Sequence, residues 1–195
     1  MKQLFFVFLF SMAVTAVFAQ SENVLDDLPK NADETKVRFV HKAEAKGSAA
    51  EVFDRAKCLF TETTLLMRNH GAHGAEFDEE NQIIRIKVKE KIEDSNGTKE
   101  VFFEWGVKAM ANGYALKIEE IRFMPRSVPI EALDHEEEAK RGKARSAINA
   151  SKSESIIKGY LSTLQELIEA RFENFDTQFE TSKLCKGAVE DEDDW

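Results

Sequence analysis

Apolar residues alternate with polar ones in some stretches and recur at three- and four-residue steps in others. The two periods predict strands and helices respectively. Val37, Phe39 and His41 fall on one side of a first short strand. Ser48 and Glu51 form a capping box, and behind it Val52, Phe53, Ala56, Leu59, Phe60, Thr63 and Met67 trace one helical face to about Arg68. The glycine-containing run at 69–74 ends that helix. Gln82 to Lys91 then alternates, with Ile84, Ile86 and Val88 opposite Arg85, Lys87 and Lys89. Glu100 to Met110 follows with Val101, Phe103, Trp105, Val107 and Ala109 on one face, and turn residues between Asp94 and Gly97 join the two as a hairpin. Asn112 and Gly113 lead into a last strand, Tyr114 to Phe123, whose period slips between Ile118 and Ile121 as a bulge would require. Pro125 and Pro129 are expected to end the sheet.

A second capping box, Ser151 to Glu154, opens a long helix with Ile157, Tyr160, Leu161, Leu164, Leu167, Ile168, Phe172, Phe175 and Phe179 in one stripe. The order is therefore strand, helix, three-strand meander, helix. It predicts an α+β domain: a four-stranded, mostly antiparallel sheet, order β-α-β-β-β-α, with two helices on its one apolar face. A helix from Ser153 to Thr181 would run about 40 Å, whereas ten-residue strands reach only about 33 Å. Phe175 and Phe179 are thus expected to overhang the sheet and to need a further apolar partner, either Val24, Leu25 and Leu28 or a second copy of the chain.

Outside the domain, taken as 36–181, the chain changes character. Residues 1–19 combine Lys2, an apolar run from Leu4 to Phe10 and a small-residue exit through Val17 and Ala19. That is the layout of a secretory signal peptide, cut before Gln20. The rival, a membrane anchor, would leave a barely sufficient span with no basic residues to stop it. An exported protein, periplasmic or extracellular, is expected, with no cysteine at the cut to take a lipid and no stable membrane span after cleavage. Residues 20–35 read as a polar leader, 131–152 as a charge block (short helix or loop), and 182–195 as an acidic tail ending in Glu190 to Trp195. The formal charge of −9 speaks against nucleic acid as a general partner.

The segment Gly47 to Lys57, reading G-S-A-A-E-V-F-D-R-A-K, together with Asn112, Gly113 and Tyr114, resembles an uncharacterised family of exported bacterial proteins. The domain of that family is assigned a TATA-binding-protein-like fold. The resemblance implies that fold over roughly residues 36–181 and an envelope location; it carries no activity and does not imply DNA binding.

Candidate chemistry is sparse. His70 and His73, with Glu76, Asp78, Glu79 and Glu80 nearby, are weak candidates for metal ligands, set against a solvated helix exit with little rigidity. His41 reads as a satisfied histidine at the core edge. Asp134, His135 and Glu136 are neighbours in sequence, and neighbours on a helix do not face one another. The basic row Arg85, Lys87 and Lys89 reads as a solvated sheet face rather than an anion site. Asn96 and Asn149 sit in glycosylation sequons. No nucleophile elbow, phosphate loop or paired Cys-x-x-Cys occurs, so no catalytic residue, cofactor or enzyme activity is expected.

Cys58 lies almost opposite the apolar centre of the first helix, and the other cysteine, Cys185, follows the last helix. In an oxidising compartment the two are a candidate disulfide. The expected function is a non-catalytic cell-envelope binding or assembly module. The alternative is a carrier for a small apolar ligand held between sheet and helices, near Phe39, Phe103, Trp105, Phe172 and Phe175.

Overall fold

The computed structural model describes residues 24–62, 73–94, 97–135, 137–149 and 153–181. Its elements are β1 (Phe39–Glu44), α1 (Ala49–Glu62), β2 (His73–Asp78), β3 (Ile83–Asp94), β4 (Gly97–Met110), β5 (Gly113–Phe123) and β6 (Val128–Pro129), followed by a short 3-10 helix (Ile130–Asp134), α2 (Glu138–Ala147) and α3 (Glu154–Thr181). The sheet is six-stranded, in the order β1-β5-β4-β3-β2, with β6 also on β5. Every pairing is antiparallel. β1 lies along residues 113–118 of β5 and β6 along residues 122–123, so the two short strands share one side of it.

The expected four strands are therefore six. β2 escapes the alternation test because its pairing with β3 shifts between His73 and Glu76, which breaks the period. β6 is two residues long and holds a proline, which an edge position accepts because no ladder donor is needed there. Ser95 and Asn96 of the β3–β4 turn lie outside the described residues, while Asp94 and Gly97 pair as the hairpin requires. The bulge in β5 is present. Phe102 pairs with Arg122 but Glu104 with Glu119, so β5 carries an extra residue, and Glu120 takes φ 54°.

One face of the sheet is apolar. Ile84, Ile86, Val88, Val101, Phe103, Trp105, Val107, Leu116 and Ile118 are buried beneath α1 and α3. The capping box of α1 forms as expected: the Ser48 amide donates to Glu51 Oε2 at 2.6 Å and the Glu51 amide donates to Ser48 Oγ at 3.3 Å. The α1 positions expected inside (Val52, Phe53, Ala56, Leu59, Phe60) are buried; Thr63 to Arg68 lie outside the described residues, as does Ser151.

Two expectations need correction, and the open alternative for 131–152 is decided as a short helix, α2. Phe175 and Phe179 do not overhang: both are buried within the chain, with Tyr114 4.6 Å from the Phe179 ring, and Phe60, Trp105 and Tyr114 within 6.2 Å of Phe175. The helix runs toward the end of the sheet where β5 begins, and α1 closes over that end. Within one chain the two rings are already covered.

The leader is not merely polar. Val24, Leu25 and Leu28 join the core, Lys30 bridges Val37, and the Arg38 amide donates to the Pro29 carbonyl at 2.9 Å. The charge block at 131–152 is likewise built into the fold. Ala144, Ala147 and Ile148 are buried with Ile130 and Leu133, and Arg141 Nε donates to the Leu133 carbonyl at 3.1 Å. Its charges lie on the outer side of a helix whose small residues face inward.

Candidate functional site

Two regions gather polar chemistry, one on each side of the sheet. On the helix side, His41 projects from β1, Tyr114 from the start of β5 and Asp176 from α3. His41 Nε2 lies 2.7 Å from Asp176 Oδ2, and the Tyr114 hydroxyl donates to Asp176 Oδ1 at 2.8 Å. The imidazole stacks on Phe172 at 5.5 Å, and Arg55 lies 4.1 Å over the Phe179 ring while donating to the Phe179 carbonyl at 2.8 Å. Burial, then the Asp176 hydrogen bond and charge, push the Tyr114 phenol far above its ordinary value. Each carboxylate oxygen of Asp176 is thus engaged. The cluster ties the end of α3 to two strands.

Deeper on the same side, Glu90 is buried on β3 among apolar neighbours and pairs with Arg171 of α3, Nε to Oε1 at 3.0 Å and Nη2 to Oε2 at 3.2 Å. The side-chain period pointed here: 84, 86, 88, 90 and 92 share one face, and Ile92 continues it beyond the glutamate.

The opposite face carries no helix among the described residues. The ladder register sets its rows. At the end of the sheet where β5 begins, Lys108 of β4 and Lys42 of β1 flank Ala115. Asp78 and Ile83 continue that row on β2 and β3; the next row runs Glu76, Arg85, Gly106, Lys117, Val40, and the third runs Lys87, Glu104, Glu119. Glu119 is held by Lys117 and by Arg38 at 2.9 Å. Burial alone would raise the Glu119 carboxyl; the two cations outweigh it and hold the group below the usual range. Lys89 pairs with Glu100 at 2.7 Å. Lys42, Lys87, Lys91 and Lys108 are exposed and have no ion-pair partner among the described residues. Val40 is half exposed at 52%. The face also carries exposed Glu44 and Glu76, so its charges are of both signs, with the four lysines outnumbering these two carboxylates among the groups that form no ion pair with a described residue.

The remaining sequence candidates do not converge. His73 opens β2 opposite Lys87, and His70 lies outside the described residues. No group of three or more metal-ligating side chains occurs among the described residues. His135 caps the 3-10 helix, exposed, and Glu136 lies outside the described residues. Cys58 is disulfide-bonded; Cys185 lies outside the described residues. Arg55, one helical turn before Cys58 on α1, holds the Phe179 carbonyl, so the end of α3 sits beside the Cys58 turn.

A one-sided antiparallel sheet backed by two long helices defines an α+β protein with a TBP-like fold. The solved structures it resembles include a TBP-like protein from Parabacteroides distasonis, at TM-score 0.53 and 12% identity, covering 78% of this chain and 97% of that one. A DUF4468 family protein from Bacteroides ovatus gives TM-score 0.46 and 16% identity, over 70% and 92% of the two chains. No protein-family model and no curated protein matches the sequence. At 12% identity the likeness to the Parabacteroides distasonis protein shows the fold alone. No described helix is long and apolar enough to cross a membrane.

Proposed function

We propose that this is an exported, non-catalytic binding or assembly module of the cell envelope that takes its partner on the open face of the sheet. The observation that carries the reading is the row structure of that face, where Lys42 and Lys108 stand unpaired in the first row, half-exposed Val40 lies in the second and Lys87 stands unpaired in the third, three strands from Val40. Export is supported by the signal-like layout of residues 1–19.

The test is isolation from the native envelope with the unaltered chain and with the Lys87→Glu, Lys108→Glu pair. A stoichiometric partner lost with the paired substitution supports the reading; a partner retained equally by both chains contradicts it. The alternative of an apolar-ligand carrier draws on one observation. Trp105 Nε1 is buried with no hydrogen-bond acceptor among the described residues. Native mass spectrometry tests it: a co-purifying lipid-sized mass favours the carrier, and a bare chain mass rejects it.

A further inference from the structure

We infer that the chain pairs with a second copy of itself along β1, edge to edge, about a two-fold axis that passes through Ala43 perpendicular to the sheet. The sheet order ends at β1. The Ala45 amide donates to the Asn112 carbonyl at 3.1 Å, in the register that pairs Ala43 with Tyr114 and His41 with Leu116. An antiparallel ladder turns the backbone groups of alternate residues toward its neighbour. Odd-numbered residues of β1 therefore bond β5, and the amides and carbonyls of Val40, Lys42 and Glu44 point off the edge. Arg38 belongs to the same series, and its amide is taken by the Pro29 carbonyl at 2.9 Å. Beyond it, no described residue meets the outward backbone groups of Val40, Lys42 or Glu44. An open edge of this kind is a template for another strand.

Charge selects the strand that fits. Val40, Lys42, Glu44 and Lys46 are exposed, and the three charged side chains form no ion pair with a described residue. About an axis at Ala43, Lys42 lies opposite Glu44 of the second copy, and Glu44 lies opposite its Lys42. Opposite charges facing across strands stabilise a pair, and like charges oppose it. Sliding the second copy by two residues one way sets Lys42 against Lys42; sliding it the other way sets Glu44 against Glu44. Both slipped registers are thus disfavoured. On the helix side Ala43 meets Ala43 in a non-hydrogen-bonded pair, where Cα atoms approach to about 4.5 Å and a small side chain is needed. Ala45 lies opposite His41, which Asp176 already holds at 2.7 Å. Lys46 faces Val40, along which its stem can pack. Lys108 and Lys117 stand farther in, on β4 and β5, and Lys117 is held by Glu119. Pairing stops where Gly47, at φ 126°, turns each chain off the edge toward α1, and where Pro29 holds Arg38.

The experiment follows the chain, as purified from its host, by sedimentation equilibrium from about 1 µM to about 1 mM, the span of weak specific Kd values. The unaltered chain should approach twice its own mass as concentration rises. Lys42→Glu and Glu44→Lys should each raise the dimer Kd at least about tenfold, because each sets like charges opposite at both crossings. Exchanging the two charges, Lys42→Glu with Glu44→Lys, should restore association. An equimolar mixture of the two single variants should form a mixed dimer, since each then supplies the sign the other lacks. Both positions are exposed, so all the chains should keep the same far-ultraviolet spectrum.

A single-chain mass throughout the range overturns the inference. So does a dimer whose Kd ignores both single variants, because its interface then lies elsewhere. Association that is lost in the single variants and regained neither by the exchange nor by the mixture overturns the register, and the inference with it.

Discussion

The Glu90 carboxylate sits among apolar neighbours, and the Arg171 guanidinium offsets much of its desolvation. Arg171→Met should lower stability by about 3–5 kcal/mol in urea unfolding, because it strands a buried charge. Adding Glu90→Leu should recover most of the loss, as an apolar replacement of both partners does. Tyr114 gives a second residue-scale expectation. Its phenol is raised in the folded chain, so the folded state holds that proton more tightly than the unfolded one. The contribution is complete below about pH 10, where an unperturbed phenol begins to ionise, and is lost as pH rises further. Urea midpoints at pH 9 and 11 should therefore fall more in the unaltered chain than in Tyr114→Phe; equal falls would contradict the assignment. Strand parity made it legible that His41 sits at a core edge. Its partner was not legible, because Asp176 is 135 residues away and only the crossing of α3 over β1 brings them together.

The elements that declared themselves are those with a long single period: α1, α3, β3, β4 and β5. β2 and β6 did not, since a shifted ladder and a two-residue strand leave no period to read. Residues 24–28 were misjudged for a different reason. Their apolar positions follow neither helical nor strand spacing; they form turns whose burial depends on the bridge from Lys30 to Val37. Leu25, at 2% exposure, should cost about 2–4 kcal/mol when changed to alanine, measured by chemical unfolding. A loss below about 0.5 kcal/mol, the usual range for a surface position, would return the segment to a passive leader. α2 was one of two alternatives left open, because its inward residues are alanines, which carry little hydrophobic signal among so many charges.

For the whole molecule, the strand register sorts charges that the sum of −9 does not resolve, setting Lys42, Lys87 and Lys108 on one face with Glu44, Glu76 and Glu104 among them. The covalent frame is a matter of the same scale. The chain has two cysteines and Cys58 is disulfide-bonded, so pairing with Cys185 would close a loop of over a hundred residues. Such a link is worth about 4–5 kcal/mol in the chain-entropy model. Intact mass should rise by two protons on reduction, with a matching fall in melting temperature; two thiols alkylated without reduction would reject the bond. The measurement that tests the binding face most directly is site-specific photocrosslinking in the native host. A photoreactive residue is placed at Lys87 on the open face, and separately at Glu166 on the exposed side of α3. The expected result is a discrete heavier adduct from position 87 and none from 166. Equal labelling from both positions, or adducts from 166 alone, would contradict the assignment of the open sheet face as the binding surface.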